Sequence, residues 1–239
     1  MKKISHIVAL SGLALALQAQ AFTISPMLVY MSPGSAVQDI SITNTDSKTE
    51  YVQVSVKSLS NPGNPTVPGV QYTTSMKPKD FGLMVTPNKL AVSAGEIRKV
   101  RLVGLEANLK KDKVYDILFN NIKNVPGLQP AAKGAGVVMD MNYSYTVRVI
   151  ILPSNPLPVV TAKRNGLNVT ISNTGNSYIS LRNGQLCDTS GKNCAALPSA
   201  TSYHALYAGD SWSFKVAQPG VIKFYGVYAE TKNMPVVVQ

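Results

Sequence analysis

The 239-residue chain is poor in the residues that carry chemistry: two histidines, two cysteines, one tryptophan and 12 acidic residues. A zinc site draws on several His or Cys ligands, so a metal cluster is not expected, and no other cofactor is implied. No Gly-x-Ser-x-Gly elbow occurs, and beyond the first 21 residues the histidine is His204. Any Ser–His pair would have to use it, yet Ser202-Tyr203-His204-Ala205 carries no motif. Asp188-Thr189-Ser190-Gly191 only faintly echoes an aspartic-protease signature and reads as a turn. Gly191-Lys192 lacks phosphate-loop spacing, and the Asn168-Val169-Thr170 sequon sits inside an apolar alternation, as a strand would. An enzyme is therefore not expected. The basic residues form no stripe interleaved with aromatics, so nucleic acid is not an expected partner. No apolar run approaches the ~20 residues of a membrane span, so no insertion is expected either. Helical periodicity is nearly absent.

What is present begins with an export pattern. Lys2 and Lys3 precede a short apolar core, Ile7–Leu17, and Ala19-Gln20-Ala21 fits a small-x-small cleavage site. Residues 1–21 read as a secretory signal and Phe22 as the mature start. The net charge of +11 includes Lys2 and Lys3, so the remaining chain is still strongly basic. Such a surface disfavours self-association or attracts an acidic partner. In an exported chain, Cys187 and Cys194 suggest one disulfide closing a hairpin.

Short alternating runs dominate: Ile40 and Ile42; Val52, Val54 and Val56; Tyr115, Ile117 and Phe119; Leu167, Val169 and Ile171; Phe224 to Tyr228. Separated by Pro, Gly, Asn and Ser clusters, they predict an all-β sandwich fold. Pro153, Pro156 and Pro158 cannot continue a central strand. They predict a boundary between domains of residues 22–153 and 154–239. An internal echo supports two related units: Ile42-Thr43-Asn44-Thr45-Asp46 and Ile171-Ser172-Asn173-Thr174-Gly175 each end a strand on Ile-x-Asn-Thr and turn.

The longest alternation is Val137–Leu152. Val137, Met139, Met141, Tyr143, Tyr145, Val147 and Val149 form one register; Asp140, Asn142, Ser144, Thr146 and Arg148 form the other. A strand well beyond the usual ~5–6 residues is either the spine of a sheet or an edge offered to another chain. Spacing alone favours core packing and a solvated arginine. The Gly- and Ala-rich lead-in, Val125–Gly136, favours the edge.

These stretches, in this order, resemble the periplasmic chaperones of the chaperone–usher pathway, which assemble pili and fimbriae. The likeness is carried by Phe81-Gly82-Leu83-Met84-Val85-Thr86-Pro87 with Gly95 and Val100-Arg101-Leu102, by Val114–Phe119, by Tyr145–Pro153, and by Ile171–Asn176. It implies two immunoglobulin-like β-sandwich domains in an L or boomerang arrangement. The implied partners are pilus or fimbrial subunits and an outer-membrane usher. The implied act is donor-strand complementation: the chaperone fills the groove of a subunit that lacks its last strand. By distance from Arg148, the donated side chains are Met139, Met141 and Tyr143, flanked by Val137. Unbranched, polarizable methionine adapts to varied grooves. Arg148, helped by Thr146, would hold the subunit's terminal carboxylate, for which a guanidinium fork is suited. Many members have a second basic anchor in the first strand, but Phe22–Met31 has no Lys or Arg. The chain is in this closer to the alternate chaperones of class-5-type fimbriae. Arg98, Lys99 and Arg101 are candidates for the missing charge. Whether the free protein caps itself as a homodimer is left open. The alternative role is a fimbrial structural subunit or tip adhesin.

Overall fold

The computed structural model describes residues 22–33, 37–106, 108–122 and 143–239. The chain runs through β1 (Phe22–Ser25), β2 (Leu28–Met31), β3 (Val37–Asn44), β4 (Glu50–Leu59) and β5 (Val70–Gln71). It continues through α1 (Pro78–Phe81), β6 (Leu83–Thr86), β7 (Lys89–Val92), β8 (Ile97–Gly104), β9 (Lys113–Asn121) and β10 (Ser144–Ile151). Then come β11 (Val160–Asn165), β12 (Asn168–Asn173), β13 (Ile179–Cys187), β14 (Cys194–Ala196) and α2 (Ser199–Ser202). The last strands are β15 (His204–Leu206), β16 (Ser211–Lys215), β17 (Ile222–Tyr228) and β18 (Lys232–Val238).

Among the described residues, strands of 22–151 pair only with one another, and so do strands of 160–238. The first half packs the sheet β1-β3-β8-β6 on the sheet β2-β10-β9-β4-β5, with β7 alongside β4. The second packs β11-β12-β16 on β14-β13-β17-β18, with β15 alongside β13. This is the expected pair of immunoglobulin-like sandwiches. Alternation sets each core. Ile40, Ile42, Val100, Leu102, Ile117 and Phe119 are fully buried in one cluster. Val169, Ile171, Ile179, Leu181, Leu206 and Ile222 are fully buried in another. Each such side chain contributes on the order of 1.5–3 kcal/mol.

A third cluster joins the halves: Val114, Ile150, Leu152, Tyr178 and Tyr207, with Tyr30, Leu59, Ala205 and Ala229 against it. It explains where simple alternation ends. Val147 and Val149 face the first core, so Ile150 lies on the outer face, yet it too is fully buried. The second sandwich covers it. Asp112 clamps the same junction. Its carboxylate accepts the Tyr178 amide proton, and its own amide donates to the Asn176 carbonyl at 3.0 Å.

The predicted hairpin disulfide forms between Cys187 and Cys194, which are register partners of β13 and β14. Within its loop Asp188 is a turn residue: it accepts from Ser190 Oγ at 2.6 Å and the Lys192 amide at 3.0 Å. His204 stacks on Trp212 at 4.2 Å between ring centroids, a packing role.

Candidate functional site

The site is built on β10, and neighbour geometry singles it out. β9 flanks β10 along its whole length, Ser144↔Asn120 to Ile151↔Lys113. On the other side β2 pairs in parallel, but only with Arg148–Ile151. The reason lies in the N-terminal segment: β1 belongs to the opposite sheet, paired with β3, and the chain crosses over at Pro26. Among the described strands, therefore, nothing covers the outer edge of Ser144–Val147. The asymmetry can be read bond by bond. The Tyr143 carbonyl accepts from the Asn121 amide at 3.2 Å, so 143, 145 and 147 turn their backbone groups to β9. The even-numbered residues turn theirs outward. Arg148 is the first whose amide finds a partner on that side, donating at 3.0 Å to the carbonyl of Met27, just before β2. Ser144 and Thr146 point theirs to the open edge and are exposed.

Arg148 thus marks where the open edge ends, on the outer face of the sheet at the mouth between the sandwiches. Its Nε donates to Asp116 Oδ1 at 2.6 Å and its Nη2 to Oδ2 at 3.2 Å, a two-point pairing across β9 and β10. Nη1 donates to the hydroxyl of Tyr207 from the second sandwich. The guanidinium also lies 5.7 Å from the Tyr207 ring centre. Burial alone would lower the Arg148 pKa, but the Asp116 bond and charge outweigh it and raise it. The side chain is still 30% exposed, so a second acceptor can reach it. Cross-strand pairing places Lys57, Asp116, Arg148 and Leu28 in one row across the outer face. Thr146, two residues earlier on the same face, is exposed beside it.

Behind this row sits a tyrosine cluster. Tyr178 packs on Tyr207 at 5.0 Å and on Tyr30 at 6.3 Å between centroids. Burial pushes the Tyr30 hydroxyl up to about 12, opposed by the positive charge of Arg182. Burial also raises Tyr207, against the pull of Arg148.

Of the sequence-predicted site residues, Arg148 and Thr146 come together as described. Val137, Met139 and Met141 lie outside the described residues. Tyr143 is half-buried and packs against the first core. The structure does not bring Arg98, Lys99 or Arg101 to Arg148. They lie on β8, in the opposite sheet, paired with Glu96 at 2.8 Å, Asp39 at 3.7 Å and Asp39 at 3.0 Å respectively. Sequence reasoning missed Asp116 and Tyr207. An acid on the polar register of Val114–Phe119 hinted at the first; nothing local marked the second. Among the described residues no His, Cys, Asp and Glu cluster could hold a metal ion.

No family model matches the chain. It is 26% identical over 202 residues to a CS1 fimbrial protein of Escherichia coli, covering 83% of this chain and 82% of that one. It is 27% identical over 145 residues to a CFA/I fimbrial protein of Escherichia coli, covering 59% and 58%. Both relatives are named as fimbrial subunits. Among solved structures it resembles the class 5 fimbriae chaperone CfaA, with a TM-score of 0.67 at 20% identity over 90% of this chain and 98% of that one. A chain in a chaperone–tip adhesin complex of CFA/I fimbriae biogenesis gives 0.65 at 22% identity, over 90% and 97%. The fold is that of the fimbrial chaperones of the chaperone–usher type, and the likeness read from the sequence holds at that level.

Proposed function

We propose that this protein is a periplasmic chaperone that binds, folds and caps fimbrial subunits by donor-strand complementation and delivers them to an outer-membrane usher. Its working parts are domains of residues 22–153 and 154–239 behind an export signal of 1–21. The observation that carries the reading is the half-covered strand β10: an edge that no described strand covers over Ser144–Val147 and that stops at a half-buried arginine. A subunit strand added to that edge pairs with the outward amides and carbonyls of Ser144 and Thr146. Its terminal carboxylate then reaches the Arg148 guanidinium, which keeps enough exposure to make a charge-assisted bond. Val137, Met139 and Met141 are the side chains that fill the subunit's groove, with Tyr143, half-buried against the first core, closing that row. Without a subunit, the same edge is available to a second copy of the chain.

Co-expression with a fimbrial subunit of the same assembly system tests this. A soluble one-to-one complex is expected, and Arg148→Ala should reduce its recovery about a hundredfold. The variant should stay folded, with stability lower by about 1–3 kcal/mol because Asp116 loses its partner. Unchanged recovery would remove the anchor. Polymerisation of the protein on its own would favour the reading as a structural subunit or tip adhesin.

A further inference from the structure

Two arginines of the first sandwich hold carboxylates in the same way. Arg148 grips Asp116 through Nε and Nη2, and Arg101 grips Asp39 through the same two atoms. These donors form one edge of the guanidinium, a fork that matches the two oxygens of a carboxylate. Arg164, in the second sandwich, has no acid at its fork. Its Nε and Nη2 are screened from solvent, and neither has a hydrogen-bond partner in the protein. Leaving charged donors in that condition is costly.

Strand pairing explains the position. β11 is an edge strand, and its Arg164 pairs with Val169 of β12, which is fully buried in the second core. Directly paired residues share a face, so Arg164 points inward, between the sheets. Nη1 donates to the Gly220 carbonyl, which ties the guanidinium to the segment leading into β17. A Cβ at Gly220 would lie 2.0 Å from the Cys187 carbonyl oxygen, so glycine alone lets that segment run against the disulfide hairpin.

The guanidinium borders a recess of about 540 Å³ whose walls include Ser190, Gly191, Pro219 and Val237. Lys223 lines it too, with its Nζ donating to the Gly191 carbonyl at 2.7 Å. Among the described residues neither cation pairs with a carboxylate. Asp188, in the bordering hairpin, is occupied within its own loop by Ser190, Lys192 and Asn193. β17 begins at this end with Ile222 and finishes at Tyr228, next to Ala229 of the junction cluster. At ~3.3 Å per residue, the recess is about 20 Å from the junction. An inward charge on an edge strand can deter pairing with a stray strand. That role leaves the screened fork and the neighbouring Lys223 unexplained.

We propose that this recess binds an acidic side chain of a partner polypeptide, with the Arg164 fork as its carboxylate ligand and Lys223 as the supporting charge. The recess is far larger than a lone carboxylate, and Pro219 and Val237 suit apolar neighbours of the acid. On binding, the fork turns from its screened position into the recess and gains the acceptor it lacks. The site lies at the opposite end of the second sandwich from Arg148. It therefore goes beyond the chaperone reading and does not depend on it.

NMR titration of the protein with acetyl-Val-Glu-Val-amide, read at the Arg164 Nε–H and the Gly191 amide, tests this. Saturable shifts with a Kd on the order of 1 mM are expected, weaker at high salt. The Gln counterpart of the peptide and sodium acetate should each bind at least about tenfold more weakly. Arg164→Lys keeps the charge but loses the fork, and should weaken the Glu peptide about tenfold at the Gly191 amide. Lys223→Gln should weaken it about threefold. Thermal unfolding of each variant serves as the fold control. Equal binding of the Glu and Gln peptides, or full affinity in Arg164→Lys, would overturn the carboxylate fork. Acetate binding as tightly as the Glu peptide would overturn the polypeptide occupant. No saturable shift in the unaltered protein, with self-association of Arg164→Gln, would make Arg164 an edge guard and end the proposal.

Discussion

Asn44 in the first sandwich and Asn173 in the second are both 1% exposed, and their side chains make matching sets of bonds. Asn44 Nδ2 donates to the Lys48 and Val92 carbonyls, and its Oδ1 accepts the Asp46 amide at 2.8 Å. Asn173 Nδ2 donates to the Ser177 and Leu206 carbonyls, and its Oδ1 accepts the Gly175 amide at 3.0 Å. In each half the residue bonds i+4, i+2 and a strand distant in sequence, so one buried side chain locks a turn onto its sandwich. The halves then diverge at their shared mouth. The first supplies an arginine neutralised within its own sheet and a strand edge left half covered. The second supplies the Tyr207 hydroxyl, which accepts from that arginine, and the buried Tyr178 ring beside it. Where the two halves repeat each other, the residues hold the fold. Where they differ, the differences gather at one cleft.

The repeated device gives the largest expected effect. Asn44→Ala and Asn173→Ala each strand buried carbonyls, and each should destabilise its sandwich by about 2–4 kcal/mol in denaturant unfolding. Near-equal losses would support equivalent roles; a loss below about 0.5 kcal/mol at either position would break the equivalence.

The junction gives a smaller, pH-dependent effect. Burial pushes Asp112 up from 3.8 to about 6, against the bond from the Tyr178 amide, with Lys111 lowering it and Asp210 raising it further. A carboxyl whose folded value is raised favours the folded state when protonated. That contribution is complete below about pH 4 and is lost as pH rises through about 6. Asp112→Asn keeps an acceptor for Tyr178 and removes the titration. Relative to the variant, the unaltered protein should therefore lose about 1–3 kcal/mol between pH 4 and pH 7. Parallel stability–pH curves for the two proteins would show that Asp112 does not couple the halves in this way.

Much of the fold was legible because alternation is a local signal. Ile40 and Ile42, Ile117 and Phe119, and Val169 and Ile171 are buried as their spacing requires. The Asn44 and Asn173 echo was legible too, since a turn-forming asparagine bonds mainly to near neighbours in sequence. Arg148 stood out as a charge on a long strand. Its pairing with Asp116 did not, because the register between β9 and β10 is set by packing and not by either strand alone. Ile150 broke the alternation because a second sandwich covers it. Tyr207 was hidden for a related reason: its bond to Arg148 depends on how the two halves meet.

The central claim is that β10 offers an unpaired edge to a subunit strand, and amide hydrogen exchange along it tests this most directly. In the free protein the amides of Ser144 and Thr146 should exchange rapidly, while those of Tyr145 and Val147, bonded to β9, should be protected. On forming a complex with a fimbrial subunit, Ser144 and Thr146 should become as protected as their neighbours. Slow exchange at both in the free monomer, or no change on complex formation, would contradict it.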